Sequence, residues 1–155
     1  MTGNEQRVLS LIRAAFAGVV LGDGVGLWQA EGLDDYADAR TLASYRARDE
    51  KHDWSAISIA DLERCYSSLS FFDPDGMRFH LPAYLVAELE GRLTGYVLFH
   101  LVCAANGATS RFSTLSRAQR EAVREFLLLR LSDPHHEFVH PMIGTALGEY
   151  WTPLE

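Results

Sequence analysis

Apolar residues return at helical spacing along nearly the whole chain. From Asn4 to Leu21 they fall at Val8, Leu11, Ile12, Ala15, Phe16, Val19 and Val20, the i, i+3, i+4, i+7 pattern that predicts an amphipathic helix. Gly32 to Glu50 places Tyr36, Ala39, Leu42, Ala43 and Arg46 on one side. A second, half-exposed helix is expected there. Its carboxylates Asp34, Asp35 and Asp38 would lie near its N-terminus, where the helix dipole favours negative charge. Trp54 opens a third unit, in which Ser58 and Asp61 form a weak capping pair ahead of Ile59, Leu62, Cys65, Tyr66 and Leu69.

The stretch Leu69 to Gly91 carries the most punctuation. Asp73-Pro74-Asp75-Gly76 reads as a turn, Met77 to Leu81 as a short extended run, and Pro82 as the first position of a fourth helix closed by Gly91. Phe71, Phe72, Phe79 and Tyr84 are expected in the core. Thr94 to Ala105 mixes aromatic and β-branched residues that permit a strand, but its length and its alanine-rich end before Asn106-Gly107 favour a buried helix. Ser116 with Gln119 forms a capping box, and the helix it opens turns Ala122, Val123, Phe126, Leu127 and Leu131 inward. Asp133 and Pro134 start one more helical turn, and Ile143, Ala146, Leu147, Tyr150 and Trp151 keep helical spacing to the end. No repeat, low-complexity run or long linker interrupts the pattern. The expected fold is all-α, a single compact domain over residues 1–155 of about six or seven helices with one short extended segment at 77–81.

A chain of 155 residues buries roughly 70% of its unfolded surface and needs no covalent staples. The two cysteines, Cys65 and Cys103, sit among apolar or aromatic neighbours, which fits buried reduced thiols and a cytoplasmic protein. Glu5 and Arg13 interrupt the opening segment, so neither a secretory signal nor a membrane span is expected.

Charge is unevenly spread beneath the net value of −7. Glu31 to Arg64 holds nine acids against five bases, Arg111 to Arg130 five arginines against two glutamates, and Ser132 to Glu155 four acids with no lysine or arginine. Nucleic acid is a poor partner for such a surface, because phosphate binding needs a concentrated positive field. An acidic surface instead steers a basic protein towards it.

Three strings resemble known sites. Gly22-Asp23-Gly24-Val25-Gly26 looks like a phosphate loop, but it follows a helix, whereas such loops follow a strand. Asp73-Pro74-Asp75-Gly76 begins like a calcium loop, yet Arg78 stands where the sixth-position glycine belongs and Tyr84 where the twelfth-position glutamate belongs. His136-Glu137-Phe138-Val139-His140 is a literal H-E-x-x-H. On a helix His136 and His140 share a face and can bind zinc, with Glu137 as general base and a third ligand from Glu149, the main option, or from His80, His100 or His135. Pro134 and Pro141 bracket that string and shorten any helix there. Neither cysteine lies in an electropositive, open setting, and no serine lies in a G-x-S-x-G elbow.

The words A-A-F at Ala14 to Phe16, G-L-W-Q-A-E-G-L-D-D-Y at Gly26 to Tyr36, the lone Trp54, F-F-D-P-D-G-M-R-F-H-L-P-A-Y-L at Phe71 to Leu85, and L-S-R-A-Q-R-E-A-V-R-E-F-L at Leu115 to Leu127 resemble a bacterial family of small helical proteins known only as a domain of unknown function. The resemblance covers most of the chain, to about Leu131. It implies a bacterial origin and a helical fold and brings no catalytic residues.

The first functional expectation is a non-enzymatic protein-binding module, such as an immunity or antitoxin-like protein that neutralises a basic toxin. It would work without a cofactor, as monomer or homodimer, with no nucleic acid or membrane partner. Contacts are expected at Asp34, Asp35, Asp38 and Glu149, with Arg78 and His80 as polar groups lining a groove. The rival is a zinc-dependent hydrolase built on His136, His140 and Glu137. A third expectation is a subunit that dimerises through Tyr150 and Trp151.

Overall fold

The computed structural model describes residues 1–103 and 109–153. Among them are eight α-helices and no strand. These are α1 (Gly3–Ala15), α2 (Leu27–Asp34), α3 (Ala39–Arg48), α4 (Ile59–Arg64), α5 (Pro74–Leu89), α6 (Tyr96–Val102), α7 (Arg117–Leu131) and α8 (His140–Glu149). Short 3-10 turns at Trp54–Ala56, Tyr66–Ser70, Thr109–Phe112 and Pro134–Val139 join them. Among the described residues no helix is long and apolar enough to cross a membrane.

Helix α5 is the centre. Every residue from Gly76 to Leu89 except Arg78 is buried, and α1, α4 and α6 pack on it. Asp73 caps its first turn, with Oδ1 accepting from the Gly76 N–H at 2.8 Å, and Pro74 takes the first helical position. The expected turn is thus the start of the helix, and 77–81 is helical rather than extended. The two readings share a signature, since Asp-Pro suits both a turn and a capped helix. Pro82 lies inside α5 instead of opening it. It has no N–H for the carbonyl of Arg78 and costs about 3 kcal/mol. Burial of Met77, Phe79, Leu81, Tyr84 and Leu85 contributes about 1.5–3 kcal/mol for each large apolar side chain and outweighs that loss.

Helix α1 is shorter than its pattern predicts. Its apolar stripe of Val8, Leu9 and Ile12 packs on α7, but Phe16 caps its C-terminus and Gly18 follows at φ +76°. Val20 is exposed as a result. The predicted second helix is two. α2 ends at Asp34, Tyr36 turns the chain at φ +54°, and α3 begins behind an Asp38 cap that accepts from the Thr41 N–H at 2.8 Å. Asp34 and Asp35 therefore sit at a helix C-terminus, where the dipole does not favour them. Of the expected core aromatics, Phe72, Phe79 and Tyr84 are buried, while Phe71 remains 38% exposed.

The glycine-rich loop after α1 is a packing corner. Arg46 donates to the carbonyls of Gly22 and Gly24, and Asp73 Oδ1 accepts from the Val25 N–H at 2.9 Å as well as from Gly76. A Cβ on Gly24 would stand 2.7 Å from the Gly76 nitrogen. The N-terminus of α2 is capped from a distance by the buried Asp49, whose oxygens accept from the N–H groups of Trp28 (2.8 Å) and Gln29 (3.1 Å). Burial pushes that carboxyl up from the usual carboxylate range, against those two hydrogen bonds. These contacts tie the loop to α3 and to the start of α5.

The remaining capping pairs form as expected. Ser58 Oγ accepts from the Asp61 N–H, and Ser116 and Gln119 cap α7 reciprocally. Helix α6 confirms the helical reading of Thr94 to Ala105 as far as Val102. The expected alanine-rich end at Ala104 and Ala105 lies outside the described residues.

Candidate functional site

One groove brings together three exposed large apolar side chains, Phe99, Phe138 and Met142. It lies between α6 and the segment running from the Pro134–Val139 turn into α8, measures about 580 Å³, and is lined by Leu98, Phe99, Val102, Phe138, Val139 and Met142. Phe99 is 60% exposed, Phe138 81% and Met142 41%. Such side chains normally go inward, and a cluster of them on one surface is the kind of apolar patch from which interaction sites are built. Local structure explains the geometry. Gly95 at φ +83° bends the chain into α6, whose inner residues Val97, Leu98 and Leu101 are buried and leave Phe99 facing out. On the opposite wall, Asp133 and Pro134 start a 3-10 turn that kinks at His136 (φ −110°, ψ 19°), and the tighter turn throws Phe138 outward.

A polar network supports the groove from below. Buried Glu88 accepts from the Gly95 N–H at 2.8 Å through Oε1. Its Oε2 lies 4.0 Å from Arg130 Nε, and Arg130 is also near Asp133 at 3.8 Å. Burial raises the Glu88 carboxyl above its ordinary range, countered by the Gly95 bond and the Arg130 charge. Asp133 goes the other way, down to about 2, because the His135 backbone N–H and then the rings of His135 and His136 donate to it. Asp133 thus fixes the rim that carries the two histidines.

The H-E-x-x-H string does not form one helical face. His136 Nδ1 donates to Asp133 Oδ2 at 3.1 Å and its ring lines the groove. His140 turns inward, with Nε2 donating to the carbonyls of Asp133 (2.9 Å) and Arg130 (3.1 Å). Glu137 is exposed, as is Glu149 at the end of α8. Among the described residues no three His, Cys, Asp or Glu side chains are grouped to hold a metal ion. The spacing misleads because Pro134 imposes the tighter turn before the α-helix begins at His140.

The other expected contacts are dispersed. Asp34, Asp35 and Asp38 are exposed at the α2–α3 corner around Tyr36, which is itself 95% exposed. Arg78 pairs with Asp75 at 3.7 Å on the surface of α5. His80 does not line a groove. It is fully buried, stacked on Phe72 at 4.3 Å with Nδ1 donating to the Gly76 carbonyl at 2.7 Å, and burial lowers its value to about 4. Trp151 is also core, its Nε1 donating to Leu101 O at 3.0 Å. It cannot serve the dimer contact expected of it. Phe99, Phe138 and Met142 carried no sequence-level signal as a group, although an unmatched phenylalanine inside a polar, proline-bracketed string was the one available clue.

A family model described as a family of unknown function (DUF6714) matches residues 4–155. No curated protein and no solved structure matches the chain.

Proposed function

Because the chain belongs to a family of unknown function (DUF6714), we propose its role from the groove itself: a protein-binding module that takes an amphipathic, cationic segment of a partner between α6 and α8. The observation that carries this reading is the exposure of Phe99, Phe138 and Met142 around one cleft. An aromatic-rich apolar patch supplies the desolvated centre on which binding energy concentrates. The chemistry of the partner follows from charge. Residues between His135 and Met142 form one wall, and the sequence around them, from Ser132 onward, contains four acids and no lysine or arginine, so a basic segment is favoured in approach over an acidic one. Neutralisation of a basic toxin by an immunity or antitoxin-like protein is the biological setting that fits, with the Asp34, Asp35 and Asp38 corner as a further contact.

Two synthetic amphipathic helices with the same apolar face, one lysine-rich and one glutamate-rich, provide the test by titration calorimetry. The lysine-rich peptide is expected to bind at least about tenfold tighter, and Phe138→Ser to weaken it by about tenfold or more. Equal affinity for the two peptides, or an unchanged affinity in Phe138→Ser, would overturn the proposal.

A further inference from the structure

A second cleft, which shares no lining residue with the groove, has a different character. It measures about 540 Å³ and lies between the end of α1, the Trp54–Ala56 turn and one face of α5. That volume is within the range of small-molecule sites, roughly 300–1,000 Å³. Ile57, Leu62, Ala83, Val86 and Ala87 supply its apolar lining, beside the polar Ser55 and Ser58. Ala83 and Ala87 are one turn apart on α5, and the smallness of their side chains keeps the cleft open.

Two arginines line the same cleft. Arg13 stands in the last turn of α1. Arg92 arrives by a separate route, because α5 ends with Gly91 at φ +73° and the Arg92 N–H returns to the Ala87 carbonyl at 2.9 Å, folding the chain back over its own helix. Glu90 is the one acid in the lining, and it approaches Arg13 only to 4.0 Å. Among the described residues Arg92 has no ion-pair partner. The lining carries two positive charges against one negative in a chain whose net charge is −7. A forked guanidinium without a carboxylate, beside an apolar lining, is the arrangement that recognises an oxyanion attached to an apolar body.

We propose that the cleft between α1, the Trp54 turn and α5 is a binding site for a small amphiphilic anion, with Arg13 and Arg92 holding its carboxylate or phosphate group and the α5 face holding its apolar part. This site is independent of the groove between α6 and α8. It gives the protein a small-molecule input besides its protein partner.

The probes are octanoate and octyl phosphate, which separate carboxylate from phosphate, with octan-1-ol and octylammonium as neutral and cationic counterparts. Each is titrated into the full chain and followed by amide-detected NMR. At least one anion is expected to bind about tenfold or more tighter than octan-1-ol and to shift the amides of Ile57, Ala83 and Val86. Arg13 and Arg92 are exposed, so the Arg13→Gln, Arg92→Gln double variant keeps the fold and should lose that preference. Arg92→Lys should retain part of it, and Phe138→Ser should leave it unchanged. Anions that bind no tighter than octan-1-ol, tight binding that survives in the double variant, or shifts confined to the Phe138 groove would each overturn the assignment.

Discussion

Mild acid should destabilise this protein through His80. The ring is fully buried against Phe72 and Phe79, with one nitrogen bonded to the Gly76 carbonyl and the other, Nε2, without a partner. Desolvation therefore holds it neutral in the folded state down to about 4, against an ordinary value of 6.5. Above the ordinary value neither state binds the proton and stability is unaffected. As pH falls below it, the unfolded chain takes up a proton that the folded chain refuses, so stability is lost progressively until about pH 4. At about pH 5 this difference amounts to about 2 kcal/mol, a sizeable part of the 5–15 kcal/mol typical of a domain. His100, also lowered to about 4 by burial and the Arg111 charge, acts in the same direction. The raised carboxyls of Asp49 and Glu88 act in the opposite one. A variant comparison isolates His80. Urea unfolding of the parent and of His80→Gln at ~pH 7.5 and ~pH 5 should show a loss on acidification about 2 kcal/mol smaller in the variant, whatever its absolute stability. An equal loss in both proteins, or a His80 ring that titrates near its ordinary value by NMR, would falsify the account.

Three further outcomes are expected. Gly24→Ala places a Cβ 2.7 Å from the Gly76 backbone nitrogen, which no side-chain motion relieves, and should lower the unfolding free energy by about 1–3 kcal/mol in denaturant titration; a neutral effect would mean that the loop and α5 do not meet so closely. Tyr36→Gly should stabilise the protein by about 0.5–1 kcal/mol, because Tyr36 holds φ +54° while almost fully exposed and gives up left-handed strain without losing packing; calorimetry showing a lower melting temperature would contradict this. The Cys65 thiol is pushed up to about 12 by burial and then by the Glu31 charge, so in a Cys103→Ser background it should react with a disulfide reagent only as fast as the protein opens, and labelling at the rate of a free thiol would refute its placement.

The sequence carried the fold through helical periodicity and through caps whose partners lie three residues away. Thr2 with Glu5, Ser58 with Asp61 and Ser116 with Gln119 all form locally, and the last two were legible for that reason. Leu69 to Gly91 was misread where local signals are degenerate. Asp73-Pro74 fits a turn as well as a helix start, and Pro82 argues for a boundary unless burial on every side overrides it, as it does in α5. The groove was less legible still. Its walls come from α6 and from residues about forty positions later, and Phe99 and Phe138 belong to one surface only after the chain has folded. His80 shows the same limit in reverse, since a polar residue read as a surface group became core because the helix that carries it is buried on nearly every side.

The double acceptance by Asp73 also bears on how the protein breathes. One oxygen holds the amide of Val25 and the amide of Gly76, 48 residues apart in one bond and three in the other. Lifting the glycine loop away from the core would disturb the cap of the central helix at the same moment. The loop consequently opens as part of the same cooperative unit as the start of α5, and the Val25 and Gly76 amides should exchange their hydrogens at matched rates. A segment that looks like a hinge in the sequence, three glycines within five residues, is among the places where the molecule cannot flex alone.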